Sequence, residues 1–332
     1  MRIATYNVEW FNTLFDDKGQ LIDDDSWSSR WDVTKAMQTA ALGAVFTAMD
    51  ADAVMIIEAP DTNSRRSTIK ALTHFADHFG LRTTDALIGF ANDTQQEIAL
   101  LYDPEVLQAA HDPRETPESP RFDKTNQRDL NVDAAPDAIR WSKPPLEVAV
   151  ETADGSLRLI GVHAKSKAPH GAENKADAMR ISIANRSKQL AQCIWLRKRV
   201  DEHLAEGDDL IVLGDFNDGP GLDEYEKLFG RSGVEIVLGE GGEHKLFDPH
   251  ARMALGRRVG AMPTTARFRR EGQPYLQALL DYVMISPGLM KKSPRWQIWH
   301  PFDHPDCYEN AALRTAVLNA SDHFPVILDM KL

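Results

Sequence analysis

The stretch Leu210-Ile211-Val212-Leu213-Gly214-Asp215-Phe216-Asn217-Asp218-Gly219-Pro220 decides the reading of this chain. Four apolar residues in a row are too few for a buried helix and suit a strand covered on both faces. The glycine then permits close backbone approach, Asp215 and Asn217 point the same way if the strand continues, and Gly219-Pro220 ends it. An acid and an amide would face one ligand. The acid could activate water while the amide orients it or contacts a metal or phosphoryl oxygen. Taken by itself, the stretch fits a turn held by Asx hydrogen bonds equally well.

The same arrangement recurs on both sides of it. Ile3–Tyr6 is followed by Asn7, Val54–Ile57 by Glu58, and Leu157–Val162 by His163. Two later runs show the reverse order, with Asp281 before Tyr282–Ile285 and Asp322-His323 before Phe324–Leu328. If all these polar residues converge, the last two strands must run opposite to the first four, so the sheets are mixed. A carboxylate directly after a buried strand, as at Glu58, is costly unless it is exposed, paired or bound to a cation. Carboxylates and amide carbonyls with few soft ligands suit Mg²⁺, Mn²⁺ or Ca²⁺ better than zinc. Asp281 pairs with His323 in this reading, fixing its tautomer and favouring its cation. His163-Ala164-Lys165-Ser166-Lys167 would present a proton donor and two cations to an anion. Singly, each segment reads as well as a solvated strand end.

Between these runs, Thr34–Met49 carries Met37, Ala41, Val45 and Met49 at steps of four after Asp32 and Thr34 as caps, which predicts a helix. A second helix is expected over about Ala176–Leu204, with Leu190, Ile194, Val200 and Leu204 on one broad face. Residues 111–145 hold six of the eighteen prolines and read as a surface insertion outside the core. Residues 293–320 read as a second insertion with packed aromatics. That packing is preferred to a metal site at His300, His304, Asp306 and Cys307, whose spacing matches no zinc motif. No repeat or low-complexity linker divides residues 1–332, which predicts a single domain.

With 42% hydrophobic and 27% charged residues and no apolar run near the ~18 of a membrane span, a soluble globular chain without a span is expected. The N-terminus has no signal-peptide core and the two cysteines, Cys193 and Cys307, make no disulfide framework, which together suggest a cytoplasmic protein with free thiols. A formal charge of −12 is not that of a general polyanion binder. Between Lys245 and Arg270, however, seven basic residues face the single acid Asp248, giving 7 − 1 = +6. This is either a phosphate-contacting surface or a solvated loop whose arginines pair with acids elsewhere.

Taken in order, Thr5-Tyr6-Asn7-Val8, Glu58, Gly161-Val162-His163, Gly214-Asp215-Phe216-Asn217, Leu280-Asp281-Tyr282 and Ser321-Asp322-His323-Phe324-Pro325-Val326 resemble the endonuclease/exonuclease/phosphatase superfamily, which has a deoxyribonuclease-like fold. The resemblance spans nearly the whole chain. It implies an α/β four-layer sandwich, two mixed β-sheets packed face to face with helices on the outer faces, and metal-dependent attack of water on phosphorus. Ile57 stands where the family commonly has Gln before its metal-binding Glu, and Ala59 follows where Val is frequent.

Resemblance and residue chemistry imply the same roles. Glu58 is the principal ligand of Mg²⁺ (or Mn²⁺), with Asn7 beside it and Asp322 joining. Asp215 positions or deprotonates the attacking water, Asn217 assists, and His323 with Asp281 binds phosphate and shares proton transfer. His163 stabilises phosphoryl oxygens or protonates the leaving group. Nucleic acid is the preferred substrate, contacted by Lys165, Arg257, Arg258 and Arg267. The alternative is a small-molecule or lipid phosphoester, since an aromatic loop at 293–320 could contact an apolar group. A catalytically silent binding module is the third reading, which the intact set of polar residues disfavours.

Overall fold

The short apolar runs become strands because they are buried on both faces. In β2 (Ala53–Ala59), Val54 and Ile56 enter one hydrophobic cluster while Met55 and Ile57 enter another, so the unbroken apolar run serves two layers. The computed structural model describes residues 1–128, 137–219, 229–242, 244–256 and 262–331. One six-stranded sheet has the order β14 (Arg295–Ile298), β15 (Val326–Asp329), β1 (Arg2–Asn7), β2, β4 (Glu97–Tyr102), β3 (Asp85–Ile88). A five-stranded sheet has the order β13 (Asp281–Ile285), β10 (Leu210–Asp215), β9 (Gly155–His163), β8 (Leu146–Thr152), β5 (Leu107–His111). Two ribbons complete the strands: β6 (Asn126–Arg128) with β7 (Asp137–Ile139), and β11 (Ala266–Arg270) with β12 (Gln273–Ala278).

The sheets pack face to face through Ile3, Met55, Ile57 and Leu100 from the first and Leu159, Ile211, Leu213 and Val283 from the second. Helices cover the outer faces. α1 (Lys35–Met49) and α2 (Thr68–Phe79) bring Leu42, Val45, Phe46, Leu72 and Phe75 against Ala4, Tyr6 and Ile56. α3 (Lys175–Glu206) brings Leu190, Trp195 and Leu196 against Ile160, Val162 and Val212. This is the four-layer α/β sandwich with mixed sheets. Among the described residues no helix is long and apolar enough to cross a membrane.

Both long helices start where a side chain satisfies a free backbone N–H. Thr34 accepts from the Met37 amide and Asn174 from the Asp177 amide. Asp32, expected as an alternative cap, instead sits in a left-handed turn with φ 58°. Of the four residues placed on one face of α1, Ala41, Val45 and Met49 are buried but Met37, in the first turn, is exposed.

Neither expected insertion is wholly superficial. Phe122, Ile139 and Trp141 lie in the core beneath α3, and the buried Arg199 donates to the Ser119 carbonyl at 2.6 Å and to Glu147 at 2.6 Å. Prolines here limit regular structure without preventing burial. In 293–320, β14 closes the six-stranded sheet, and helices α6 (Pro305–Glu309) and α7 (Ala311–Ala320) put Cys307, Val317 and Ala320 into the core around α1. His300 and His304 pack on Phe324 and Trp299, with ring centroids 4.9 and 6.2 Å apart, as the aromatic reading expects. The short helices α4 (Gly233–Leu238) and α5 (Pro249–Leu255) pack beside α3 and β10; the labels α1–α7 cover the described residues.

Candidate active site

Strand direction places the polar residues together. β1 runs parallel to β2 and β9 parallel to β10, so Asn7, Glu58, His163 and Asp215 all stand at carboxyl ends. β13 is antiparallel to β10 and β15 to β1, which returns Asp281 and Asp322-His323 to the same edge. Two left-handed residues then aim side chains inward: Glu58, with φ 62° at a register shift between β2 and β4, and Asn217, with φ 49°. Asp215 and Asn217 therefore converge through a turn, not through continued strand alternation.

Asp215 is the most heavily held group. It accepts from Asn7 Nδ2 at 3.0 Å, from the Asn217 amide at 2.7 Å and from Asn217 Nδ2 at 3.0 Å. Burial, followed by the nearby Asp281, pushes its pKa up to about 7. Asp281 Oδ2 and His323 Nδ1 are 2.7 Å apart. Burial opposes charge on His323, but Asp281, Asp215 and Asp322 outweigh it and hold the imidazole well above its ordinary pKa. Ligand atoms of Asp215, Asp281 and His323 all lie within 4.8 Å of one another.

Across the cleft, His163 Nε2 lies 3.8 Å from Glu58 and 3.7 Å from Asp215, too far for direct hydrogen bonds and open to an intervening atom. Its Nδ1 is 3.2 Å from Lys143 Nζ. Burial, then Lys143 and His323, push the His163 pKa far down. Glu58 accepts from Gln96, which in turn accepts from Lys143, and burial raises the Glu58 pKa. Asn7 Oδ1 is buried without a hydrogen-bond partner among the described residues, an acceptor suited to a hard cation beside Glu58.

All of these residues except the buried Asp281 line a cleft of about 880 Å³. Asp322 and Lys165 border it, and the Arg267 backbone N–H donates to the Asp322 carbonyl at 2.7 Å. The Arg267 side chain lies outside the reacting cluster, over the Tyr275 ring at 3.6 Å. Arg257 and Arg258 lie outside the described residues. Sequence reasoning missed Lys143, Gln96, Glu9 and Trp10, all on the cleft wall. Gln96 had a weaker signal, since it stands just before β4 with Glu97 between it and the apolar run Ile98–Tyr102.

The profile of the Endonuclease/Exonuclease/phosphatase family matches residues 4–323, and the chain belongs to that family of phosphoesterase hydrolases. Its fold is similar to that of truncated Caenorhabditis elegans TDP2, at 12% identity and a TM-score of 0.52 over 100% of this chain and 97% of that one. It is also similar to the Neisseria 3′ phosphatase NExo bound to a product DNA hairpin, at 14% identity and a TM-score of 0.51, with 100% of both chains covered. An AP endonuclease from Archaeoglobus fulgidus shares 11% identity at a TM-score of 0.50, again over 100% of each chain. No curated protein sequence matches the chain.

Proposed function

We propose that the protein is a divalent-metal-dependent phosphodiesterase whose substrate is nucleic acid. The observation that carries this reading is the convergence of Asp215, Asp281 and His323 opposite Glu58, Asn7 and His163 in one cleft. Glu58 and Asn7 Oδ1, with Asp322 beside them, would hold Mg²⁺ or Mn²⁺, which when bound offsets charge on a phosphoryl oxygen.

The remaining roles belong to the chain's own residues. Asp215, fixed by two amides and poised near pH 7, takes the proton of the attacking water. Asn217 holds Asp215 in place and donates to the Ala164 carbonyl at 3.1 Å. His323, charged next to Asp281, is a hydrogen-bond donor to phosphate and not the base. An ammonium only donates, so Lys143 leaves Nδ1 of His163 as acceptor and its Nε2–H turned into the cleft. His163 then stabilises a phosphoryl oxygen through that N–H.

Trp10, Phe268 and Leu276 give part of the cleft wall an apolar surface, and with the −12 charge they favour a lipid or small phosphoester as the second reading. The test is turnover of DNA, RNA, bis-p-nitrophenyl phosphate, p-nitrophenyl phosphate and sphingomyelin with Mg²⁺, Mn²⁺ or chelator. Chelation is expected to abolish diester cleavage and Mg²⁺ or Mn²⁺ to restore it. Undiminished turnover in excess chelator contradicts the metal assignment, and turnover of the small or lipid esters without the oligonucleotides transfers the site to the second reading.

A further inference from the structure

The β11–β12 ribbon is rooted in the catalytic strands. Thr265 Oγ1 accepts from the amides of Leu280 and Asp281 at 3.0 Å each, and Ala266 pairs with His323. One face of the ribbon, Phe268 and Leu276, turns to the cleft, with the Phe268 ring 5.5 Å from that of His323. The other face carries Arg267 over the Tyr275 ring at 3.6 Å and near Phe302 at 5.5 Å, while Arg269 lies over Trp31 at 3.5 Å. These rings are unusually open for large apolar groups: Trp31 is 69% exposed, and Tyr275 and Phe302 are 45% exposed each. Among the described residues Arg267, Arg269 and Arg270 make no ion pair, in contrast to Arg2, Arg66, Arg82 and Arg114. Arg267 and Arg269 are thus held by ring faces with their N–H edges unneutralised, while Arg270 Nε donates to the Pro274 carbonyl at 3.0 Å.

We propose that this Arg–aromatic face is a stacking platform for the bases of a single-stranded nucleic acid whose backbone enters the cleft, an inference that rests on the nuclease reading above. Open ring and guanidinium planes take up bases that have no partner strand, and the free N–H edges take up phosphates. A duplex offers neither exposed base faces nor a low charge density, since its phosphates recur every ~1.7 Å of axis.

The experiment compares kcat/KM for a single-stranded oligonucleotide, as DNA and as RNA, the same sequence annealed to its complement, and bis-p-nitrophenyl phosphate. Wild type is expected to prefer the single strand. Tyr275→Ala and Trp31→Ala should each lower single-strand kcat/KM on the order of tenfold, as expected for one lost base stack. Tyr275→Phe should retain activity, and the small diester should be unaffected throughout. A wild-type preference for duplex, or full single-strand activity in both alanine variants, overturns the platform and leaves the nuclease reading standing. Equal loss on the small diester also overturns it, because the rings would then support the catalytic centre. Cleavage of the small diester with no oligonucleotide cleaved removes the nuclease reading itself.

Discussion

His323 and Asp281 illustrate how a single pair sets the charge of the site. The carboxylate 2.7 Å from Nδ1 favours the protonated imidazole despite its burial, so that Nε2–H remains available for phosphate. Asp281→Asn should fold normally and lose on the order of 10²-fold or more in kcat. Its activity should also fall at lower pH than in wild type, because His323 would lose its proton more easily. Steady-state kinetics across pH check this, and a wild-type profile contradicts the pairing. His323, Asp281, Asn7, Glu58, His163 and Asp215 were legible because each adjoins an apolar run, where an exposed or buried polar group needs a reason. Lys143 was not, because it stands in Ser142-Lys143-Pro144-Pro145 and reaches His163 only through the tertiary packing of that segment. An amide that reaches Glu58 comes from Gln96, just before the neighbouring strand β4, while Ile57, beside Glu58 in sequence, is buried between the sheets.

Among the elements, β10 carries a steric requirement imposed by the backbone of its neighbour β9. Gly214 has φ 135°, and a Cβ added there would lie 2.1 Å from the Val162 carbonyl oxygen. Gly214→Ala should therefore cost about 2 kcal/mol or more of stability and displace Asp215, lowering both the denaturant midpoint and turnover. An unchanged midpoint would show that β9 and β10 can separate without cost. The role of this glycine was readable from its place between an apolar run and an acid. The left-handed turn at Asn217 was not, because a polar residue after a strand is compatible with either continuation or reversal. The packing of Phe122 and Trp141 beneath α3 was likewise hidden, since proline content reports irregular backbone and says little about burial. Strand direction was recoverable from whether the polar residue followed or preceded its run.

At the scale of the molecule, two sheets bring acids from distant parts of the chain to one edge. Asp215 is raised from its ordinary 3.8 to about 7, Glu9 from 4.5 to about 7, and Glu58 is raised as well, with burial the largest cause for each. Groups raised in this way favour the protonated form in the fold, so their contribution to stability is present below the unfolded pKa near 4 and is lost as pH rises through about 7. The raised His323 acts in the same direction, its contribution being lost above its ordinary 6.5. His163, pushed far down by burial, acts oppositely below its ordinary 6.5, so metal-free protein should weaken between about pH 6.5 and pH 8, and a divalent cation that competes with the protons of the cleft acids should stabilise it more at pH 8 than at pH 5. The most direct test is the thermal midpoint with and without saturating Mg²⁺ or Mn²⁺ at pH 5 and pH 8, in wild type and Glu58→Gln. At about 100 times its Kd, one cation adds ~2.7 kcal/mol. The predicted result is a midpoint increase in wild type that is larger at pH 8 than at pH 5 and greatly reduced in Glu58→Gln. No cation-dependent increase at pH 8, or the same increase in Glu58→Gln, would contradict a metal-dependent site built on Glu58.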